Sequence, residues 1–289
     1  MVDGSETKII RPKIPLPLIL FLATVLTTVT AGALYQGVNV LADPAGLVSG
    51  IPFSASLMLI LGTHELGHFI ASRRHGVATT LPIFIPGPPI PPMIGTFGAV
   101  IRIKSAIPSK AALVDIGSSG PLSGFVIALV VTAWGLSRST IVPYVPTGAA
   151  LGFGESLIFK LLETITVGSV PDGHELILHP VAFAGWIGMF VTAMNLLPIG
   201  QLDGGHLVYA VIGARHRVFS MLMIACLAAL GIFTWHGWFI WGALIALIGL
   251  RHPQVEDQAA PMDARRKTLC AASLLVFILT FMPTPFYIV

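Results

Sequence analysis

Charged side chains are scarce in this chain: Asp, Glu, Lys and Arg make up 10% of its 289 residues, against about 25% in a soluble globular domain. With 55% of the residues hydrophobic, the shortage excludes a water-soluble domain and points to a polytopic membrane protein. Cysteine is nearly absent too. Cys226 and Cys270 sit in separate apolar runs, so neither a disulfide framework nor a thiolate metal site is indicated. The formal net charge is +3, but the basic residues fall between apolar spans and form no patch interleaved with exposed aromatics. No nucleic-acid partner is expected.

Long apolar runs are what the chain does have, at about Leu16 to Tyr35, Ile51 to Ser72, Leu113 to Ser137, Leu178 to Leu197, Val218 to Thr234, Trp238 to Leu250 and Leu269 to Phe286. Most approach the ~20 residues needed to cross a bilayer, and the short run from Trp238 leaves the count at six or seven spans. The first run could instead be a cleaved signal peptide, since Ala31-Gly32-Ala33 resembles a processing site. Its length favours a span. Seven spans with a cytoplasmic N-terminus put Lys8, Arg11, Lys13, Arg73, Arg74, Arg102, Lys104, Lys110, Arg215, Arg217, Arg251, Arg265, Arg266 and Lys267 inside. Only Arg138 and Lys160 fall outside, the bias that the positive-inside rule predicts. Roughly fifteen residues before the first span leave no evident transit segment, so the expected setting is a multi-pass protein of a prokaryotic plasma membrane.

Inside the second run stands His64-Glu65-Leu66-Gly67-His68. Two histidines four apart on a helix point the same way and can share one Zn²⁺, while Glu65 is placed to take a proton from water activated by the metal. The spacing should arise by chance in roughly one such chain in a hundred, and two His and a Glu in a membrane-length segment read as functional by default. The site lies near the cytoplasmic end of its span, within about two turns of Arg73 and Arg74.

A catalytic zinc takes three protein ligands and keeps one open position, so one ligand remains to be found. His174 and His179 are five apart, which would turn them about 140° from each other on a helix. His75, His216, His236 and His252 occur at span ends beside Arg or Trp, where histidine needs no metal. Asp203 is the better candidate. It follows Asn195-Leu196-Leu197-Pro198-Ile199-Gly200-Gln201-Leu202 and precedes Gly204-Gly205-His206, a run whose proline and glycines break a helix at the depth inferred for the histidine pair. His206 could be a rival ligand or an outer partner.

Two connections are more than linkers. Between Val77 and Ser105 the block Pro86-Gly87-Pro88-Pro89-Ile90-Pro91-Pro92 cannot be helical, and its flanks, Leu81 to Ile85 and Phe97 to Ile103, read as short strands. The edge of such a cytoplasmic β element, at Gly98, Ala99 and Val100, could add an extended substrate as another strand; a plain membrane-surface loop is the alternative. In the outer region, Ser139 to Ile177, Glu155 to Thr166 carries apolar residues at helical spacing, a short amphipathic helix at the interface.

The pair of motifs, HExxH in an early span and Asn195-x-x-Pro198 leading into Leu202-Asp203-Gly204 in a later one, resembles the site-2 protease family of intramembrane zinc metalloproteases. Gly117-Ser118-Ser119-Gly120-Pro121-Leu122 resembles the family's Gly-rich core helix, whose small residues permit close packing. Together with Gly95-Thr96-Phe97-Gly98-Ala99 and Lys104-Ser105, it is most similar to the branch of plant chloroplast ethylene-dependent gravitropism-deficient proteases and their prokaryotic relatives. The resemblance runs from about Leu57 to Gly213.

That resemblance implies one zinc held by His64, His68 and Asp203, Glu65 as general base and proton shuttle, and Asn195 on the substrate backbone or oxyanion. It also implies single-span membrane proteins as substrates, cut near the cytoplasmic face, with membrane lipid the other partner and the oligomeric state open. The expected fold is an all-α polytopic membrane protein with a small cytoplasmic β element after the HExxH helix. It divides into an N-terminal part (1–50), a catalytic membrane core (51–213) and C-terminal helices (214–289). No stretch is long enough for the PDZ or cystathionine-synthase-like domain of many relatives, and the flanking spans Leu16 to Tyr35 and Leu269 to Phe286 are candidates for a lateral gate. Two rivals are a catalytically inactive scaffold, expected to have lost Glu65 or a ligand, and a metal-ion transporter, expected to spread polar residues over several spans.

Overall fold

Proline and glycine punctuate the apolar runs, and the helices begin and end at them. A computed structural model describes residues 16–145, 151–250, 255–257 and 261–288; Lys8, Arg11, Lys13, Arg251 and His252 lie outside them. Helix α1 (Leu16–Tyr35) is followed, after a 3-10 turn at Pro44–Gly50, by α2 (Ile51–Arg74). Next come the strands β1 (Ile83–Pro86) and β2 (Thr96–Val100) and the helix α3 (Lys110–Leu136). Ser109 caps α3 by accepting a hydrogen bond from the Ala112 amide at 3.2 Å. The connection that follows holds β3 (Thr140–Pro143), β4 (Leu151–Phe153), α4 (Leu157–Thr166) and β5 (His174–Ile177). The chain then runs through α5 (Pro180–Asn195), α6 (Asp203–Ile212), α7 (His216–Phe233), α8 (Gly237–Ile248), α9 (Ala264–Thr280) and β6 (Phe286–Ile288).

Helix α3 is the central element, packing most extensively on α2 and α5. The largest core cluster, including Phe53, Leu57, Ala128, Phe183 and Trp186, is built mainly on these three helices. Among the described residues four helical stretches are long and apolar enough to cross a membrane: 16–35, 44–74, 110–136 and 203–233. Helix α5 has 16 residues and α8 has 12, so α5 extends about 24 Å, short of the ~30 Å hydrocarbon core. Length and composition of the described helices do not confirm the expected six or seven spans. Helix α5 is short because the chain unwinds at Leu196, before Pro198, as the broken run requires.

Corrections to the sequence reading concern β structure. Beyond the expected β1–β2 pair, β3 pairs with β5 and β4 with β6, all antiparallel. His174 to Ile177 is thus a strand, with Thr140 opposite Ile177 and Pro143 opposite His174, and a helical angle between His174 and His179 has no meaning there. Helix α5 starts at Pro180 rather than Leu178. Proline is preorganised for the first helical turn, the Ser139 hydroxyl accepts from the His179 amide at 2.9 Å, and His179 Nδ1 accepts from the Val181 amide at 3.2 Å. Burial, aided by Arg138, holds the His179 imidazole below its usual pKa and so neutral enough to accept that bond. The amphipathic segment expected at Glu155 to Thr166 is α4, with Phe159 and Glu163 turned inward.

Helix α9 is fastened to the core by charge. Asp115 on α3 accepts from Arg266 Nη2 at 2.5 Å, from Arg266 Nε at 3.1 Å and from His75 Nε2 at 2.9 Å. His75 is therefore no idle span-end histidine: it ties the end of α2 into the same network. Replacing Asp115 by Ala strands the two donors and is expected to destabilise the fold by about 2 kcal/mol, the range for a lost hydrogen bond to a charged group. A melting temperature equal to wild type in detergent would show that α9 is held by packing alone.

Candidate active site

Glu65, His64 and His68 are carried by one helical turn of α2 and are 7% exposed or less. Spacing of four brings the imidazoles together, and their Nε2 atoms are 3.1 Å apart. Asp203, the first residue of α6, supplies the third donor: its Oδ2 lies 3.3 Å from His64 Nε2 and 3.3 Å from His68 Nε2. Two glycines let the chain deliver it. A Cβ on Gly204 would stand 2.0 Å from the Leu196 carbonyl oxygen, and one on Gly205 would stand 2.4 Å from that of Gly200. Only glycine lets the Leu196 to Leu202 loop fold this closely over the start of α6.

These three donors fit a zinc ion. Four ligands about 2.0 to 2.1 Å from a tetrahedral zinc stand roughly 3.3 to 3.4 Å from one another, close to the separations here, and one corner of the tetrahedron is left open. The hydrogen bonding of His68 is suited to it as well. Its Nδ1 faces the Ile116 carbonyl at 2.7 Å; a carbonyl only accepts, so Nδ1 carries the hydrogen and Nε2 presents a lone pair to the cluster. Two imidazole nitrogens and a carboxylate oxygen converging at this distance need a shared proton or a metal cation between them. Among the described residues this is the only group of His, Cys, Asp and Glu that could hold a metal. His206, weighed as a rival ligand, is not part of it; its Cβ packs against Gly117 of α3.

The other expected site residues gather round the cluster. Asn195, the last residue of α5, places Nδ2 3.3 Å from His64 Nε2. The Ile101 backbone amide, one residue beyond β2, faces the Glu65 carboxylate, so the β element lies beside it. Gly98, Ala99 and Val100 occupy β2, whose register sets Val100 opposite Ile83 and Ala99 opposite Phe84. The bridge between Thr79 and Ile103 continues the ladder on the same side, and among the described residues the other edge of β2 is unpaired. The Thr27 hydroxyl donates to the Gly95 carbonyl at 2.6 Å, and Phe21 meets Phe84 edge-on at 5.2 Å. Both contacts hold the hairpin against α1.

Sequence reasoning missed the backbone groups that orient these side chains, the Ile116 carbonyl and the Ile101 amide, because any residue supplies them. The signal for Gly120 was present in the Gly-rich segment. Its α-carbon faces the His68 ring so closely that an added Cβ would lie 2.1 Å from Nε2.

A membrane-length helix bundle with a buried two-histidine, one-aspartate cluster beside a glutamate defines a candidate membrane metallohydrolase. The chain belongs to Peptidase family M50, matched over residues 52–234. It is 31% identical over 245 residues to "Probable zinc metalloprotease EGY1, chloroplastic" of Arabidopsis thaliana, covering 81% of this chain and 43% of that protein. With the EGY2 protein of the same plant, named in the same terms, it is 29% identical over 252 residues, 83% of this chain and 43% of the relative. The rice EGY1 protein (Oryza sativa subsp. japonica) is 30% identical over 245 residues, 81% of this chain and 41% of the relative. The chain thus spans less than half the length of these relatives. Their chloroplastic names lend no support to a prokaryotic plasma membrane.

Proposed function

We propose that this chain is an intramembrane zinc endopeptidase that hydrolyses a peptide bond of single-span membrane proteins near the cytoplasmic face. The observation that carries the reading is the convergence of three donor atoms, 3.1 to 3.3 Å apart, from two separate membrane helices. His64, His68 and Asp203 hold the metal. A zinc ion bound there supplies Lewis acidity, polarising the scissile carbonyl and bringing the pKa of water toward about 7. Glu65 takes a proton from the attacking water and delivers it to the departing amine, so the carboxylate is regenerated. Asn195 offers an amide N–H to the carbonyl oxygen as negative charge grows on it, without adding a formal charge.

A helical substrate hides its carbonyls behind its own hydrogen bonds, so it must be extended before it is cut. The free edge of β2 at Gly98, Ala99 and Val100 holds it in that form, beside the glutamate that Ile101 contacts. A cytoplasmic setting for this end of the bundle is supported by Arg73 and Arg74 in the last turn of α2 and by Arg265, Arg266 and Lys267 at the start of α9, through the positive-inside rule.

The test is zinc per chain in detergent-purified protein, wild type beside His64→Ala/His68→Ala, with folding followed by thermal melting. About one zinc in the wild type and none in a folded double variant is expected. No zinc in a well-folded wild type after zinc has been supplied would favour the inactive scaffold.

A further inference from the structure

Helices α2 and α9 both lean on α3 and leave between them a cavity of 480 Å³ at the arginine-bearing end of the bundle. Its floor is made of small hydroxyl residues of α3, Ser118, Ser119 and Ser123, with Gly67 of α2 beside them. The one carboxylate lining it, Asp115, is already taken by Arg266 and His75, and Arg266 also binds Asp263 at 2.5 Å. Arg74 and Arg265 line the mouth from opposite helices. Both are exposed, and neither has an ion-pair partner among the described residues. The walls are apolar: Leu122, Leu269 and Ile70, the last 48% exposed.

We propose that this cavity is a binding site for the phosphate headgroup of an anionic phospholipid, with Arg74 and Arg265 as its two donors. Guanidinium groups present a planar fork of N–H donors that matches phosphate oxygens. Their places, at the last turn of α2 and the first turn of α9, are where headgroups lie, and basic pockets between membrane helices on this side hold such lipids elsewhere. Acyl chains would run from the mouth along Ile70 and Leu269, which a free phosphate or a soluble acidic peptide would not use. The bound lipid ties α2, which carries the HExxH pair, to α9, and acts alongside the Asp115 network. The site lies outside the proposed zinc centre and contributes no ligand to it.

Native mass spectrometry of the full chain, titrated with phosphatidylglycerol and separately with phosphatidylcholine, tests this. Wild type is expected to prefer phosphatidylglycerol. Arg74→Gln/Arg265→Gln should weaken that binding roughly twenty-five-fold, since each arginine near a charged headgroup contributes about fivefold. A second variant, Arg73→Gln/Lys267→Gln, removes the same charge from neighbouring positions outside the cavity, Arg73 stacking on Phe69 instead, and should keep most of the binding. Equal losses in the two variants would reduce the site to a diffuse basic belt and overturn the proposal. So would inorganic phosphate, or a glutamate-rich peptide, binding as tightly as the lipid. Zinc per chain, read in the same samples, should not change in either variant, so failure of the lipid site leaves the metal reading untouched.

Discussion

Glu65→Gln should abolish peptide hydrolysis, by roughly 10²- to 10⁴-fold, while the protein keeps its zinc. The carboxylate is not one of the three converging donors, so the metal-binding cluster is complete without it. Gln is nearly isosteric with Glu, and its carbonyl oxygen can still face the Ile101 amide beside it. The β element should therefore stay docked beside the site. What Gln cannot do is take up a proton from water near neutral pH and return it to the leaving nitrogen. The comparison is cleavage of a single-span model substrate in proteoliposomes, with the wild type as positive control and zinc measured on the same preparations. Cleavage persisting in a zinc-loaded Glu65→Gln protein would remove the glutamate from the mechanism. Loss of zinc from a folded variant would make it a metal ligand instead of a base.

The local part of this architecture was legible in the residues, and the non-local part was not. His64 and His68 four apart make one face of a helix whatever the helix packs against, and α1 and α2 begin where the apolar runs begin. Asp203 could be singled out because acidic residues are rare in the spans and Pro198 and Gly200 announce a broken helix, which the chain shows between Asn195 and Asp203. Helix α9 starts at Ala264, ahead of the apolar run at Leu269, because the Asp263 cap and the Arg266 tether fix its first turn with charged residues that a hydropathy reading discards. The β3–β5 and β4–β6 pairs join segments far apart in sequence, and strand pairing at that range leaves no periodic trace in either segment alone. The Asp115 network spans three helices for the same reason. Each partner looks ordinary until the fold brings the others to it.

Gly120→Ala separates fold from site more sharply than any change to a ligand. In an exposed helix Ala is about 1 kcal/mol better than Gly, so local propensity favours the substitution in α3. The site opposes it, because the new Cβ would stand 2.1 Å from Nε2, 2.4 Å from Cδ2 and 2.5 Å from Cε1 of His68. The obstructed object is an aromatic ring held at its other nitrogen by the Ile116 carbonyl of the same helix; moving it breaks that bond and carries Nε2 out of the cluster. Zinc affinity is expected to fall by at least about 100-fold, the upper range for losing the support of a ligand, here with the ligand itself displaced. Gly62→Ala is the matched control in α2: its Cβ would meet nothing nearer than a Phe84 ring atom at 3.8 Å, so it should keep zinc and melt at or above the wild-type temperature. Chelator competition on both proteins reads the difference directly. If Gly120→Ala binds zinc as the wild type does, the metal-loaded His68 ring does not lie against α3, and the packing of the HExxH helix on the Gly-rich helix is not what aims that ligand.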